Sequence, residues 1–225
     1  MASMITALRP ETFTRLQLNA GAFLRDFDYS SATDAKSLRA LITSAIRGDQ
    51  TKTLGATRGG GTFTMTPTVR NIEVDGKRGE FVGSTINDGY TCNMTGTFLE
   101  FHENTLTAMG GKLVSGGSAK KNVKQIRFPT AFESNMYIPS LVWVGDMGDG
   151  KVLLIDLKNA LNTAGVSFTF TDKGEGTLPF TFVAHNNDVD DIDYAPADVF
   201  IYENEPEKPE EPEEPGDEPG EEPEE

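Results

Sequence analysis

The chain has 225 residues, 37% of them hydrophobic, with a formal net charge of −15, and so carries enough apolar material for a real core. Residues 203–225 hold 13 acidic residues, one lysine and six of the twelve prolines, a net of −12, which leaves only −3 on residues 1–202. That balance disfavours a nucleic-acid grip built on phosphate neutralisation, and the single Cys92 excludes an intrachain disulfide or a Cys-cluster metal site.

Residues 11–25, ETFTRLQLNAGAFLR, alternate imperfectly through Phe13, Leu16, Leu18 and Ala20 before Gly21, a pattern that predicts a first strand with a bend. No stretch approaches the ~18 apolar residues of a membrane span, and residues 1–25 lack a charged region followed by an apolar core. The expectation is a protein made and kept in a cytoplasm, with no membrane partner. Leu38, Leu41, Ile42, Ala45 and Ile46 then recur at helical spacing, with Ser31 or Thr33 as the cap and Gly48 as the stop. This reads as a short amphipathic helix inside a long connection.

From Gly61 to Ile86 the period becomes two, through Phe63, Met65, Val69, Ile72 and Val74. Asp75-Gly76 signals a hairpin turn, with Phe81 and Val82 resuming on the far side. YTCNMTGTFLEF (90–101), LTAMGGKLVS (106–115) and VKQIRFP (123–129) continue the alternation, and residues 138–155 read as two strands joined by a Gly-Asp turn. IDLKNALNTAG (155–165) places Leu157, Ala160, Leu161 and Ala164 on one helical face and stops at Gly165. VSFTFTDKGEG (166–176), TLPFTFVAHN (177–186) and VFIYE (199–203) predict further strands. About nine short strands and two modest helices give a mainly β fold, an antiparallel sandwich or barrel with flanking helices. It occupies residues 1–202 as one domain. The Pro/Glu-rich segment 203–225, without an apolar residue, reads as a disordered acidic tail.

Candidate chemistry is sparse. Gly59, Gly60 and Gly61 suggest a phosphate loop, but no Lys-Ser/Thr pair and no helix follow them. GGKLVSGGSAKK (110–121) fails in the same way. His102 and His185 are isolated from each other and read as surface or hydrogen-bonded residues. Asp188, Asp190, Asp191 and Asp193 form an oxygen-rich loop that could take calcium, yet they lack the EF-hand order of ligands. No nucleophile elbow and no acid/base pair appear. The residues therefore offer no catalytic site and no cofactor. Basic residues gather modestly at Arg47, Lys52 and Arg58, at Lys77 and Arg78, and at Lys120, Lys121, Lys124 and Arg127.

LNAGAFLRDFD (18–28), LGATRGGGTFTMTPTVRNIEVDGKRGEF (54–81), MTGTFLEF (94–101), the long block 137–188 and PADVFIYE (196–203) together resemble the major tail tube protein of long-tailed bacteriophages infecting Gram-positive bacteria. The resemblance implies a β-sandwich protomer with a flanking helix, similar to the tube protein of type VI secretion systems. It implies hexameric rings stacked into a hollow tube, the conduit through which viral DNA leaves the particle without specific binding. Tape measure, distal tail and tail terminator proteins would be further partners, the virion tail would be the location, and the lumen would be acidic.

On that reading, residues 26–60 form a stacking arm whose helix meets the next ring through Leu38, Leu41 and Ile42. Arg58, Gly59, Gly60 and Gly61 form the hinge between arm and sheet. A different class of function, a monomeric β-sandwich module binding carbohydrate or calcium, is discriminated by exposed aromatics. Trp143, in the apolar run LVWVG, argues against a sugar platform.

Overall fold

The computed structural model describes residues 12, 15–17, 19–48, 50–114, 123–187 and 193–204. Its strands are β1 (Ala22–Arg25), β2 (Thr57–Asn71), β3 (Thr85–Phe98), β4 (Lys112–Val114), β5 (Gln125–Arg127), β6 (Ile138–Asp146), β7 (Val152–Asn162), β8 (Leu178–Val183) and β9 (Ala197–Tyr202); its α-helices are α1 (Ala35–Arg47) and α2 (Glu103–Ala108). Strands run in the order β1-β6-β7-β8-β3-β2, with β9 also paired to β7, while β4 and β5 form a separate ribbon. The reading as a mainly β, antiparallel sandwich with flanking helices holds.

β7 joins the two sheets. Residues 152–157 pair with β6 on one side and β9 on the other, whereas Leu161 and Asn162 pair with β8. Between these stretches Asn159 takes φ 44, a left-handed conformation in which Asn is tolerated, and this turns the strand out of one sheet into the next. The sheets then face each other across a core in which Phe23 meets Phe180 edge-on at 5.1 Å and Phe98 stacks on Phe180 at 4.2 Å.

The helix predicted over 155–165 is therefore strand. Leu154, Ile155, Asp156 and Leu157 are all buried, because one face of β7 looks into the sandwich and the other lies under α1. A strand covered on both faces needs apolar residues at odd and even positions alike, and its sequence then satisfies a helical template. LTAMGGKLVS is likewise divided, with Leu106 to Ala108 in α2 and Lys112 to Val114 in β4. Of residues 166–176 only Thr169 bridges, to Thr177. The first strand shortens to β1, preceded by Gly21 at φ 68 and a bridge from Gln17 to Met147.

α1 forms where its periodicity places it, but the cap is Asp34. The Asp34 carboxylate accepts from the Ser37 amide at 2.8 Å and the Ser37 hydroxyl accepts from the Asp34 amide at 3.1 Å, which is a reciprocal capping box. These hydrogen bonds hold the Asp34 carboxyl below the usual carboxylate range. The helix covers the outer face of β1, β6 and β7, burying Leu38 against a cluster that includes Leu24, Val142, Val144 and Leu154. The loop before it is fastened by Tyr29, whose hydroxyl donates to the buried Asp156 at 2.8 Å; Asp156 also accepts from the Ser140 hydroxyl at 2.7 Å.

Candidate assembly surface

β2 and β3 pair over nearly their whole length, from Thr57 opposite Phe98 to Asn71 opposite Thr85. Fourteen to fifteen residues at about 3.3 Å each make a ribbon roughly 45–50 Å long. Only its lower part, around Phe63, Cys92, Met94 and Phe98, packs on the core. Beyond that the ribbon leaves the sandwich with neither face covered: every residue of β2 from Thr64 to Asn71 is exposed, as are Asn87 to Thr91 of β3.

The connection at the tip, residues 72–84, is longer than the turn that Asp75-Gly76 predicts. Phe81 and Val82 do not resume the strand; β3 begins at Thr85. Instead they stand out at 62% and 108% exposure beside Val74 at 65%. The loop is internally fixed, since Lys77 Nζ donates to the Ile72 carbonyl at 3.0 Å and to Glu80 at 2.8 Å, and the Ser84 hydroxyl donates to Glu80 at 2.9 Å. Lower on the ribbon, Arg70 and Asp88 form a bidentate ion pair that lowers the Asp88 carboxyl below its ordinary range. Apolar groups at a braced tip form a presented surface.

The ribbon face turned away from the core is made of hydroxyls and amides. Thr62 lies opposite Thr95 and Thr95 opposite Thr181; Thr64 lies opposite Asn93, and Thr66 opposite Thr91. These positions contain no ionisable side chain. Of the basic residues that cluster in the sequence, Arg58 pairs with Glu175, Lys77 with Glu80 and Lys124 with Glu103.

Gly59, Gly60 and Gly61 are not a joint between an arm and a sheet. They lie inside β2, where the register shifts so that Arg58, Gly59 and Gly60 together stand opposite Thr97, a β-bulge. Gly59 (φ 74) and Gly60 (φ 72) serve the backbone, for a Cβ there would meet nothing within 4 Å. Gly61 serves the packing, for its Cβ would lie 2.9 Å from both the Phe23 ring and the Thr95 carbonyl oxygen. The helix α1 lies on its own sheet, where Leu38 is fully buried and Leu41 and Ile42 are half-buried, so much of the apolar stripe read as the arm's contact face is occupied within the chain.

The remaining candidates are dispersed. Asp188, Asp190 and Asp191 lie outside the described residues. Asp193 is exposed, and nearby Asp198 pairs with Lys158 at 2.8 Å. His102 sits at the start of α2, 3.3 Å from the Thr105 hydroxyl, and His185 lies edge-on to Tyr137. Cys92 is fully buried, which pushes its thiol up from the ordinary range. Trp143 is half-buried, its indole N–H donating to the Ala20 carbonyl at 3.1 Å. Among the exposed aromatics, Phe101, Phe168 and Phe170 form a row with ring separations of 5.5 and 6.3 Å, Phe170 being 86% exposed. Alternation marked Phe168 and Phe170 as strand residues, and only the absence of a covering element leaves them bare. No helix of the described residues is long and apolar enough to cross a membrane. No protein-family model and no curated protein sequence matches the chain.

Proposed function

We propose that the protein is a structural, self-assembling subunit whose copies form rings stacked into a tube of the tail-tube type, the conduit for phage DNA. The observation that carries this reading is the β2–β3 ribbon. A two-stranded hairpin is marginally stable alone in water, yet this one extends far past its own core and ends in exposed Val74, Phe81 and Val82. Contact with a second copy supplies the missing cover, and a protruding element that fits a different surface of the next copy propagates rather than closing a pair. The stacking role assigned from sequence to residues 26–60 thus passes to residues 65–91.

A neutral Thr/Asn face suits the wall of a DNA conduit, because it presents no cation to hold a phosphate backbone. It takes the place of the acidic lining that the resemblance implies. In this reading the protein acts in the virion tail, with no catalytic step and no cofactor.

The test is electron microscopy of the purified full chain beside a Phe81→Asp/Val82→Asp variant. Rings or tubes with a central hole are expected for the unmodified chain, and folded but unassembled protein for the variant. Assembly by the variant refutes the ribbon as the contact. The row of Phe101, Phe168 and Phe170 favours one other reading, a monomeric carbohydrate-binding module. A monomer at every concentration, with saccharide affinity lost on Phe170→Ala, establishes that reading instead.

A further inference from the structure

A second apolar surface lies between the end of α2, the connection from β5 to β6 and the end of β7. Met109, Phe128, Phe132, Met136, Leu161 and Val166 wall a cavity of about 440 Å³ whose described lining carries no ionisable side chain. Its buried polar residue, Asn162, is spent on the cavity's own surroundings. The Asn162 amide donates to the Met109 carbonyl at 3.3 Å and the Gly165 carbonyl at 2.7 Å, and its side-chain oxygen accepts from the Thr181 amide at 3.3 Å. The cavity is therefore braced and offers apolar contact rather than a polar grip. Of its lining, Phe128 and Phe132 are 46% and 69% exposed, so apolar rings face solvent there.

We propose that this cavity is the receptor for the ribbon tip of another copy and takes its Phe81 and Val82; the assignment rests on the reading of the chain as a self-assembling subunit. Size, direction and charge support it. Cavities of about 300–1,000 Å³ hold drug-sized ligands, so this one has room for a phenylalanine and a valine side chain together. Val183, at the end of β8, stands opposite both Asn93 of β3 and Leu161 of β7. From Asn93 the β3 strand reaches back eight residues, about 26 Å, to Thr85 at the foot of the tip. The cavity wall runs the other way, with Asn162 opposite Phe182 and the Thr163 amide donating to the Thr181 carbonyl. Tip and cavity thus lie apart along one axis, so a chain does not fill its own cavity, whereas a copy stacked along that axis does. Such a contact is heterologous and repeats from copy to copy. The charges agree in sign: segment 72–84 has three acidic and two basic residues, whereas Arg127 stands opposite Lys112 just before Phe128, with Glu133 paired to Lys112.

The test mixes two kinds of full-length chain, one carrying Val82→Cys and the other Thr130→Cys or Ala131→Cys in the cavity lining; Cys92, fully buried, stays out of the reaction. After mild oxidation under assembly conditions, peptide mapping should find position 82 of one chain joined to position 130 or 131 of another. Linkage of 82 to 82 as the main product, or assembled particles without a link from 82 to the cavity, overturns the cavity as receptor and leaves the ribbon reading standing. As a second readout, Phe132→Asp should keep the circular dichroism of the unmodified chain and raise the concentration at which particles form by about tenfold or more. Assembly of that variant at the unmodified concentration overturns the cavity alone, whereas an unmodified chain that stays monomeric at every concentration overturns both readings.

Discussion

Substituting Leu38 by alanine separates an integral helix from an assembly arm. In the folded chain Leu38 is fully buried on α1 against Leu24, Val142, Val144 and Leu154, all themselves buried. Removing its side chain takes apolar surface out of a site walled by a four-stranded sheet, which collapses poorly onto the space left behind. Leu→Ala changes in such sites cost about 2–5 kcal/mol. The rigid sheet beneath the helix places this one near the middle, about 3 kcal/mol. For a chain of this size, roughly 2–4 °C of melting temperature is lost per kcal/mol, so the midpoint should fall by roughly 6–12 °C. Urea unfolding followed by circular dichroism measures the free energy directly, and Lys36→Ala on the solvent side of the same helix serves as the control. A loss at Leu38 no larger than that of the control, with assembly impaired, would refute the packing argument and restore the helix as an arm.

Other expectations follow from the same geometry. Gly60→Asn should be nearly silent, because Asn tolerates the left-handed backbone and a Cβ meets nothing there. Gly61→Ala should cost about 1–3 kcal/mol by overpacking against Phe23 and Thr95. Equal losses at both glycines in chemical denaturation would contradict the division between backbone and packing roles. Burial and the bond to Asp156 raise the Tyr29 phenol well above its ordinary value of 10.0, and burial alone raises Tyr202. Each phenol favours the fold fully below about pH 10, and that contribution is lost as pH rises from there through the folded-state values. Phenolate absorbance should therefore show late-titrating signal that Tyr29→Phe and Tyr202→Phe each reduce; no change in the late part of the curve on either substitution would disprove the burial. Asp156→Ala leaves the Tyr29 and Ser140 hydroxyls without their acceptor. It should cost about 1–3 kcal/mol per stranded group, and a change under about 0.5 kcal/mol in the same urea assay would show that water replaces it.

Local rules determined much of this protein. Strict alternation in β2 and β3 announces strands because one face of each lower half is packed and the other is wet. Leu38, Leu41, Ile42 and Ala45 announce α1 because a helix lying on a sheet buries one stripe. Gly48 as its stop was legible for the same reason, and Asp34 as its cap lay one residue beyond the residues that composition suggests. Where several elements meet, the local pattern misleads. In β7 the run from Leu154 to Leu161 fits a helical template, because a strand covered by helix on one face and sheet on the other carries apolar side chains on both. The three glycines announce special backbone, but a bulge exists only relative to the partner strand, so its place opposite Thr97 belonged to the tertiary structure. Exposure also lies beyond the sequence. Phe81, Phe170 and Val199 read as ordinary strand residues, and what makes them a surface is that no other part of the described chain reaches far enough to cover them.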